Sequence, residues 1–192
     1  DFRQPAVEVC QENGSRLSDF QYQSHRIEGG KPKLPGLPAT YTEEDKEAQT
    51  LTVTLRDPLT GVQAELLYTI FAEGGVLARS AKIANGGTQT VRLTRAMSLC
   101  LDLPDRDYVW QQLSGCWARE CHIHSRNLEP GIQAVGSMRG NSSHEHNPFL
   151  VLRRPHADER QGEVIGLSLI YSGNFRIQAE VDAHDTLRIM AG

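Results

Sequence analysis

Between Leu113 and Phe149 the chain reads LSGCWARECHIHSRNLEPGIQAVGSMRGNSSHEHNPF, a run dense in Trp, His, Arg, Ser and Asn. Such groups suit a pocket for a polyhydroxylated ligand, and they equally suit a long loop that must satisfy its own backbone. Three chemistries compete for them. Cys116, Cys121, His122, His124, His144 and His146 are residue types that zinc prefers. Their pairs, however, are C-x4-C and two H-x-H, not the C-x2-C and H-x3-5-H of structural zinc sites. On a strand an H-x-H pair does put both rings on one face, but the spacing points to ordinary surface histidines and no metal. The second chemistry is glycoside hydrolysis by two opposed carboxylates, for which Asp102, Asp105, Asp107, Glu120 and Glu145 are available. Acids in turns beside strands are usually solvated. No nucleophile elbow and no phosphate loop accompanies them, so the chain alone is not expected to be catalytic and no cofactor is implied.

The third chemistry is contact with a sugar. Trp110 and Trp117 are available, and sugar rings present C–H faces that stack on indole while Arg and carboxylates take the hydroxyls. Trp110 follows Tyr108-Val109 and reads as the end of an apolar strand, hence core. Small residues flank Trp117 in Gly115-Cys116-Trp117-Ala118, which marks it as the exposed one.

The elements that must position these residues read as strands. The chain's 192 residues are 39% hydrophobic and carry a net charge of -4 without a long single-sign block. A basic stripe is missing, so nucleic acid is not an expected partner. No apolar run approaches the roughly 20 residues that span a bilayer, so no membrane partner is expected; the amino end lacks the layout of a secretion signal. Cys10, Cys100, Cys116 and Cys121 are too few and too irregular for a disulfide scaffold and read as reduced thiols in a cytoplasmic protein. The chain opens at Asp1 without Met and stops inside a strand-like run at Ile189-Met190-Ala191-Gly192, so it reads as a fragment of a longer polypeptide.

Ala6 to Cys10 is a short strand ending in a turn. Leu51 to Leu55 alternates with a period of two, and with Val62 to Phe71 it forms a hairpin through Asp57-Pro58-Leu59-Thr60-Gly61. Val76 to Ile83 and Thr90 to Leu103 predict a second hairpin about Asn85-Gly86-Gly87. Val164 to Tyr171 and Phe175 to Val181 predict a third, and Leu187 to Met190 begins another strand. Glu43 to Gln49 allows one or two helical turns. Lys31 to Pro38 is a proline-rich crossing that cannot donate into a ladder. The class is all-β, with hairpins arranged as a sandwich. Leu113 to Phe149 is then too long for an idle connector and is expected to be a functional loop or one engaged with another element.

Six blocks, in order, resemble the amino-terminal domain of family 36 glycoside hydrolases, the bacterial α-galactosidases. They are Asp1-Phe2-Arg3; Gly36-Leu37-Pro38-Ala39-Thr40-Tyr41; Leu113 to Glu120; Ser137 to His144; Asn147-Pro148-Phe149; and Gly166 to Phe175. The resemblance implies a β-supersandwich of the galactose mutarotase-like kind, truncated at both ends, with residues 1–192 forming most of that domain. It implies that catalysis belongs to a (β/α)8 barrel outside this chain, whose two Asp residues hydrolyse terminal α-galactosides such as melibiose and raffinose with retention. The implied partners are that barrel, neighbouring subunits of a homotetramer and the α-galactoside itself. The domain would position the barrel, help form the oligomer and help close the pocket entrance. Trp117 matches the family's Trp at the sugar and is carried over as a substrate contact, with Cys116 as its neighbour where the family commonly has Ala or another small residue. Arg139 to Phe149 is implied as a brace, with Arg139 paired to a carboxylate and the backbone held by Ser142, Ser143 and Asn147 side chains. The rival readings are an autonomous carbohydrate-binding sandwich and a zinc-bound structural domain.

Overall fold

A computed structural model describes residues 3–192, so Asp1 and Phe2 of the block Asp1-Phe2-Arg3 lie outside the described residues. Two units divide the chain: Pro5–Leu99, and Cys100–Gly192 together with Arg3 and Gln4.

The unit Pro5–Leu99 holds β1 (Val7–Gln11), β2 (Gln21–Gly29), β3 (Ala48–Arg56), β4 (Val62–Phe71), β5 (Leu77–Asn85) and β6 (Val91–Ala96). One sheet runs β2-β3-β4-β5, and β1 pairs separately with β6. The expected β3–β4 hairpin forms with unbroken register from Ala48↔Phe71 to Arg56↔Gln63. Asp57 builds its turn: the buried carboxylate accepts the Leu59 N–H at 2.9 Å and the Thr60 hydroxyl at 3.0 Å. Gly61 closes it at φ +75, where a Cβ would lie 2.7 Å from the Gly87 Cα. The turns at 57–61 and 85–87 therefore touch backbone to backbone, and only glycine fits.

That contact bears on the second predicted hairpin, which the structure does not contain. β5 pairs with β4, the chain leaves the sheet past Gly87, and β6 pairs with β1 instead. The predicted strand Thr90 to Leu103 is also two strands, broken at Met97–Ser98. The helical candidate at 43–49 contracts to a 3-10 turn, Asp45–Glu47. β2 gave no hydrophobic signal because every residue in it is exposed. It is an edge strand, with an Arg26–Glu28 ion pair at 2.8 Å beside His25, the charged kind of edge that discourages further pairing.

Burial in β3 inverts what its hydrophobicity suggests. Ala48, Thr50 and Thr52 are buried, while Leu51, Val53 and Leu55 on the other face are only half-buried. Thr50 donates its hydroxyl to the Gly30 carbonyl at 2.7 Å, so the 2.8 Å contact with Thr69 Oγ1 must be donated by Thr69. The equally buried Thr52 hydroxyl has no partner. Opposite outcomes are expected from one chemical change two residues apart. Thr50→Val strands a carbonyl and a hydroxyl and should cost about 1–2 kcal/mol, whereas Thr52→Val removes an unsatisfied group and should be neutral or stabilising by about 1 kcal/mol. Urea titrations of both variants, followed by circular dichroism, check the sign.

The second unit holds β7 (Leu99–Leu103), β8 (Val109–Cys116), β9 (Arg119–Asn127), β10 (Gly131–Ser137), β11 (His146–Arg153), β12 (Val164–Ser168), β13 (Phe175–Val181) and β14 (Leu187–Ala191). Its sheets run β10-β13-β14-β7 and β12-β11-β8-β9. Their core includes Trp110, Leu150, Leu152, Ile177, Ala179, Leu187 and Ile189, all fully buried. The third predicted hairpin is absent as well: β12 pairs with β11, whereas β13 lies between β10 and β14 in the other sheet. The connection crosses between sheets and is pinned on the way, as Ser142 N–H donates to the Ser172 carbonyl and Gly140 N–H to Asn174 Oδ1.

Arg3 and Gln4 belong here by their contacts. Gln4 N–H donates to Glu180 at 2.9 Å, and Arg3 reaches Thr186 Oγ1 at 3.3 Å and Asp102 at 3.6 Å. Arg188 also clasps Asp102 through two hydrogen bonds of 2.7 and 2.8 Å, which hold its carboxyl below the usual range. Among the described residues no helix is long and apolar enough to cross a membrane.

Candidate functional site

The stretch Leu113 to Phe149 is mostly strand, not the long loop its composition predicts. β8, β9, β10 and the start of β11 occupy it, and the residual loop is 138–145. The misreading has a physical cause. β9 is exposed along its whole length, so it shows no alternation of polar and apolar residues.

β8 and β9 form a hairpin whose tip is Trp117-Ala118, with Cys116 paired to Arg119. Ala118 takes φ +61 and Cys121 φ +57, left-handed values that side chains avoid. Glu120 steadies the tip by accepting the Ala118 N–H at 2.8 Å. Trp117 stands there 85% exposed, as its small neighbours predict. Gly115 allows the strands to close: a Cβ would fall 2.1 Å from the Arg119 carbonyl oxygen.

Side chains then align across three strands. β8 and β9 keep one register from Val109↔Asn127 to Ser114↔His122 and slip only beyond it, at Cys116↔Arg119. In β11 the segment Asn147-Pro148-Phe149 bulges, because proline cannot donate to the ladder, and His146 lands opposite Ser114 from the other side. Paired residues share a sheet face. One face thus carries the row His122–Ser114–His146, next to it His124–Gln112–Leu150, and then Arg126–Trp110–Leu152. It grades from apolar core to polar groove.

Hydrogen bonds run along that gradient. Trp110 Nε1–H donates to Gln112 Oε1 at 2.8 Å, Gln112 Nε2–H to Ser114 Oγ at 2.9 Å, and Ser114 Oγ meets His146 Nδ1 at 3.0 Å. Arg126 lies over the Trp110 ring at 4.8 Å, and its burial draws the guanidinium pKa below the ordinary value. Beyond the row lies an open groove of about 600 Å3, whose lining includes Cys116, Arg119, His122, His124, Glu145 and His146.

Four of the six zinc candidates therefore line one groove. Cys121 instead approaches Asn147 Oδ1 at 3.9 Å, and His144 is not in the lining. Among the described residues no group of three or more His, Cys, Asp or Glu is placed to hold a metal ion. Three of the five candidate carboxylates are in ion pairs: Asp102 with Arg188, Asp105 with Arg154 at 2.6 Å, and Glu145 with Arg139 at 2.8 Å. The last pair is the one implied for the brace, and Ser143 Oγ accepts the Glu145 N–H at 3.2 Å. Ser142 takes part through its backbone rather than its hydroxyl. Gln112 and Ser114 escaped the sequence reading. The available signal was polar residues at alternate positions after Trp110.

A family model described as the Glycosyl hydrolase family 36 N-terminal domain matches residues 1–192. The chain belongs to this family. Over all 192 residues the family 36 domain is 49% identical to the α-galactosidase AgaA of Geobacillus stearothermophilus, of which it covers 26%. The crystal structure of that enzyme superposes with a TM-score of 0.98 over 100% of this chain and 27% of its own, as does a variant solved in complex with stachyose. The α-galactosidase of Lactobacillus brevis is 45% identical, with a TM-score of 0.97 over 100% of this chain and 26% of its own. The family 36 domain thus spans about a quarter of the length of the curated relatives it matches. Its nearly all-β, antiparallel architecture is that of the family's amino-terminal domains.

Proposed function

We propose that this chain is the non-catalytic amino-terminal domain of a retaining α-galactosidase acting on terminal α-galactosides of the melibiose and raffinose type. Residues 1–192 then form most of that domain, and the catalytic Asp pair stands on a barrel elsewhere in the polypeptide. The domain positions the barrel and contributes to a homotetramer. Trp117, with Cys116 beside it, contributes to the lip of the sugar pocket. The observation that carries the reading is the whole-chain likeness to the family 36 amino-terminal domain of enzymes named as α-galactosidases. Four free thiols, two of them exposed, suit a reducing, cytoplasmic setting.

The expected results are two. The purified chain releases no nitrophenol from a nitrophenyl α-galactoside; measurable hydrolysis would overturn the reading. In the whole enzyme, Trp117→Ala should raise KM for raffinose about tenfold, the loss of one aromatic contact of about 1.4 kcal/mol, with kcat little changed. An unchanged KM removes Trp117 from the lip.

The exposure of Trp117 also favours a second reading, an autonomous carbohydrate-binding sandwich. It requires a saturable change of Trp fluorescence with galactose or raffinose on the chain alone. No change at concentrations on the order of tens of millimolar, the range of weak sugar sites, counts against it.

A further inference from the structure

The groove beside the β8–β9 tip holds far more donors than acids. Arg119 makes no ion pair and no side-chain hydrogen bond among the described residues, and the same holds for the rings of His122 and His124. Glu145 is the one carboxylate in the lining, and Arg139 already neutralises it at 2.8 Å. Glu120, next in sequence to Arg119, is engaged by the Ala118 N–H.

Indole Nε1 can only donate, so Gln112 must present Oε1 to Trp110 and its Nε2–H to Ser114 Oγ. Ser114 Oγ in turn engages His146 Nδ1 at 3.0 Å, so Nε2 is the ring nitrogen of His146 left for a ligand.

An unpaired guanidinium selects a carboxylate on the ligand, while the imidazoles of His122, His124 and His146 suit hydroxyls. A volume of about 600 Å3 admits one pyranose ring with water around it. We propose that this groove binds a sugar acid of the hexuronate class, with its carboxylate on Arg119 and its hydroxyls on His122, His124 and His146 Nε2. The groove shares Cys116 with the lip of the galactosidase reading, but the proposal concerns a charged ligand and not a neutral galactoside.

Calorimetric titration of the full chain with galacturonate, galactose and acetate tests it. Galacturonate should bind, with galactose and acetate each at least about tenfold weaker, the factor expected for loss of one charge-assisted bond or of the hydroxyl contacts. Arg119→Gln should weaken galacturonate about tenfold and leave the galactose isotherm unchanged. Arg119 is exposed and unpartnered, so this variant should keep its circular dichroism spectrum. Independently of any variant, galacturonate should shift the amide resonances of Gly115 and His122 in the wild-type chain. Equal affinity for galactose, acetate as good as galacturonate, no binding, or an indifferent Arg119→Gln each overturns the proposal.

Discussion

Trp110→Ala should destabilise the unit that contains it by about 3–5 kcal/mol, the cost of emptying a buried aromatic site. Trp110 has no solvent exposure and pairs across the sheet with Leu152, also fully buried, on one side and with Arg126 on the other. Truncation removes the indole volume, the surface under the Arg126 guanidinium, and the donor that orients Gln112. The last loss travels. Without the indole N–H only the long Arg126 contact, 3.5 Å from Oε1, orients the Gln112 amide, so its bond to Ser114 loosens. Trp110→Phe separates the parts. It should cost about 1–3 kcal/mol, because most of the apolar volume stays while the hydrogen bond goes. Urea unfolding gives the stabilities, and the nitrogen shifts of the His146 ring report its contact with Ser114. A loss below about 1 kcal/mol for Trp110→Ala, the size of an ordinary surface change, would remove Trp110 from the core.

Gly115→Ala should be the most disruptive single change at the hairpin itself. A Cβ there would lie 2.1 Å from the Arg119 carbonyl oxygen and 2.8 Å from the Glu120 Cα. Both obstacles are backbone, so no side-chain rotation relieves them and β8 must part from β9. Overpacking of this kind costs about 1–3 kcal/mol or more. The Gly115 N–H bond to the Glu145 carbonyl at 3.1 Å, which ties the tip to the 138–145 loop, is expected to break as well. Amide exchange should accelerate from Ser114 to His122 and at Glu145, and stay slow in β13 and β14. Ala118→Gly is the control in the same turn. It releases a left-handed alanine, φ +61, and should be neutral or stabilising by about 1 kcal/mol. If Gly115→Ala leaves both stability and exchange unchanged, the close approach at the tip is wrong.

How much of this was legible follows from which side chains meet water. β3 and β4 were read well because turn chemistry at Asp57–Gly61 fixes their partnership locally. The two other hairpins failed although their turn residues were read as turns. Asn85-Gly86-Gly87 does bend the chain, but Gly87 packs on the turn at Thr60–Gly61. Ser172-Gly173-Asn174 carries the chain to another sheet, held by the 138–145 loop. Both outcomes depend on residues far away in sequence. β2 and β9, exposed throughout, gave no periodicity at all. At the site, the exposure of Trp117 and the burial of Trp110 were readable from their neighbours. The row His122–Ser114–His146 was not, since it exists only because the β11 register shift brings His146 into line with a pair on two other strands.

The placing of Arg3 and Gln4 has a consequence for how the chain is made. The segment Pro5–Leu99 is contiguous, whereas its companion unit draws on Arg3 and Gln4 as well as on everything after Leu99. In topology the first unit is an insertion within the second. On a ribosome, Pro5–Leu99 is complete before any of β8 to β14 has emerged and can fold while synthesis continues. Arg3 and Gln4 must wait: their partners Glu180 and Thr186 are made 176 and 183 residues later. Docking of these two residues therefore follows the folding of the unit that separates them from their partners.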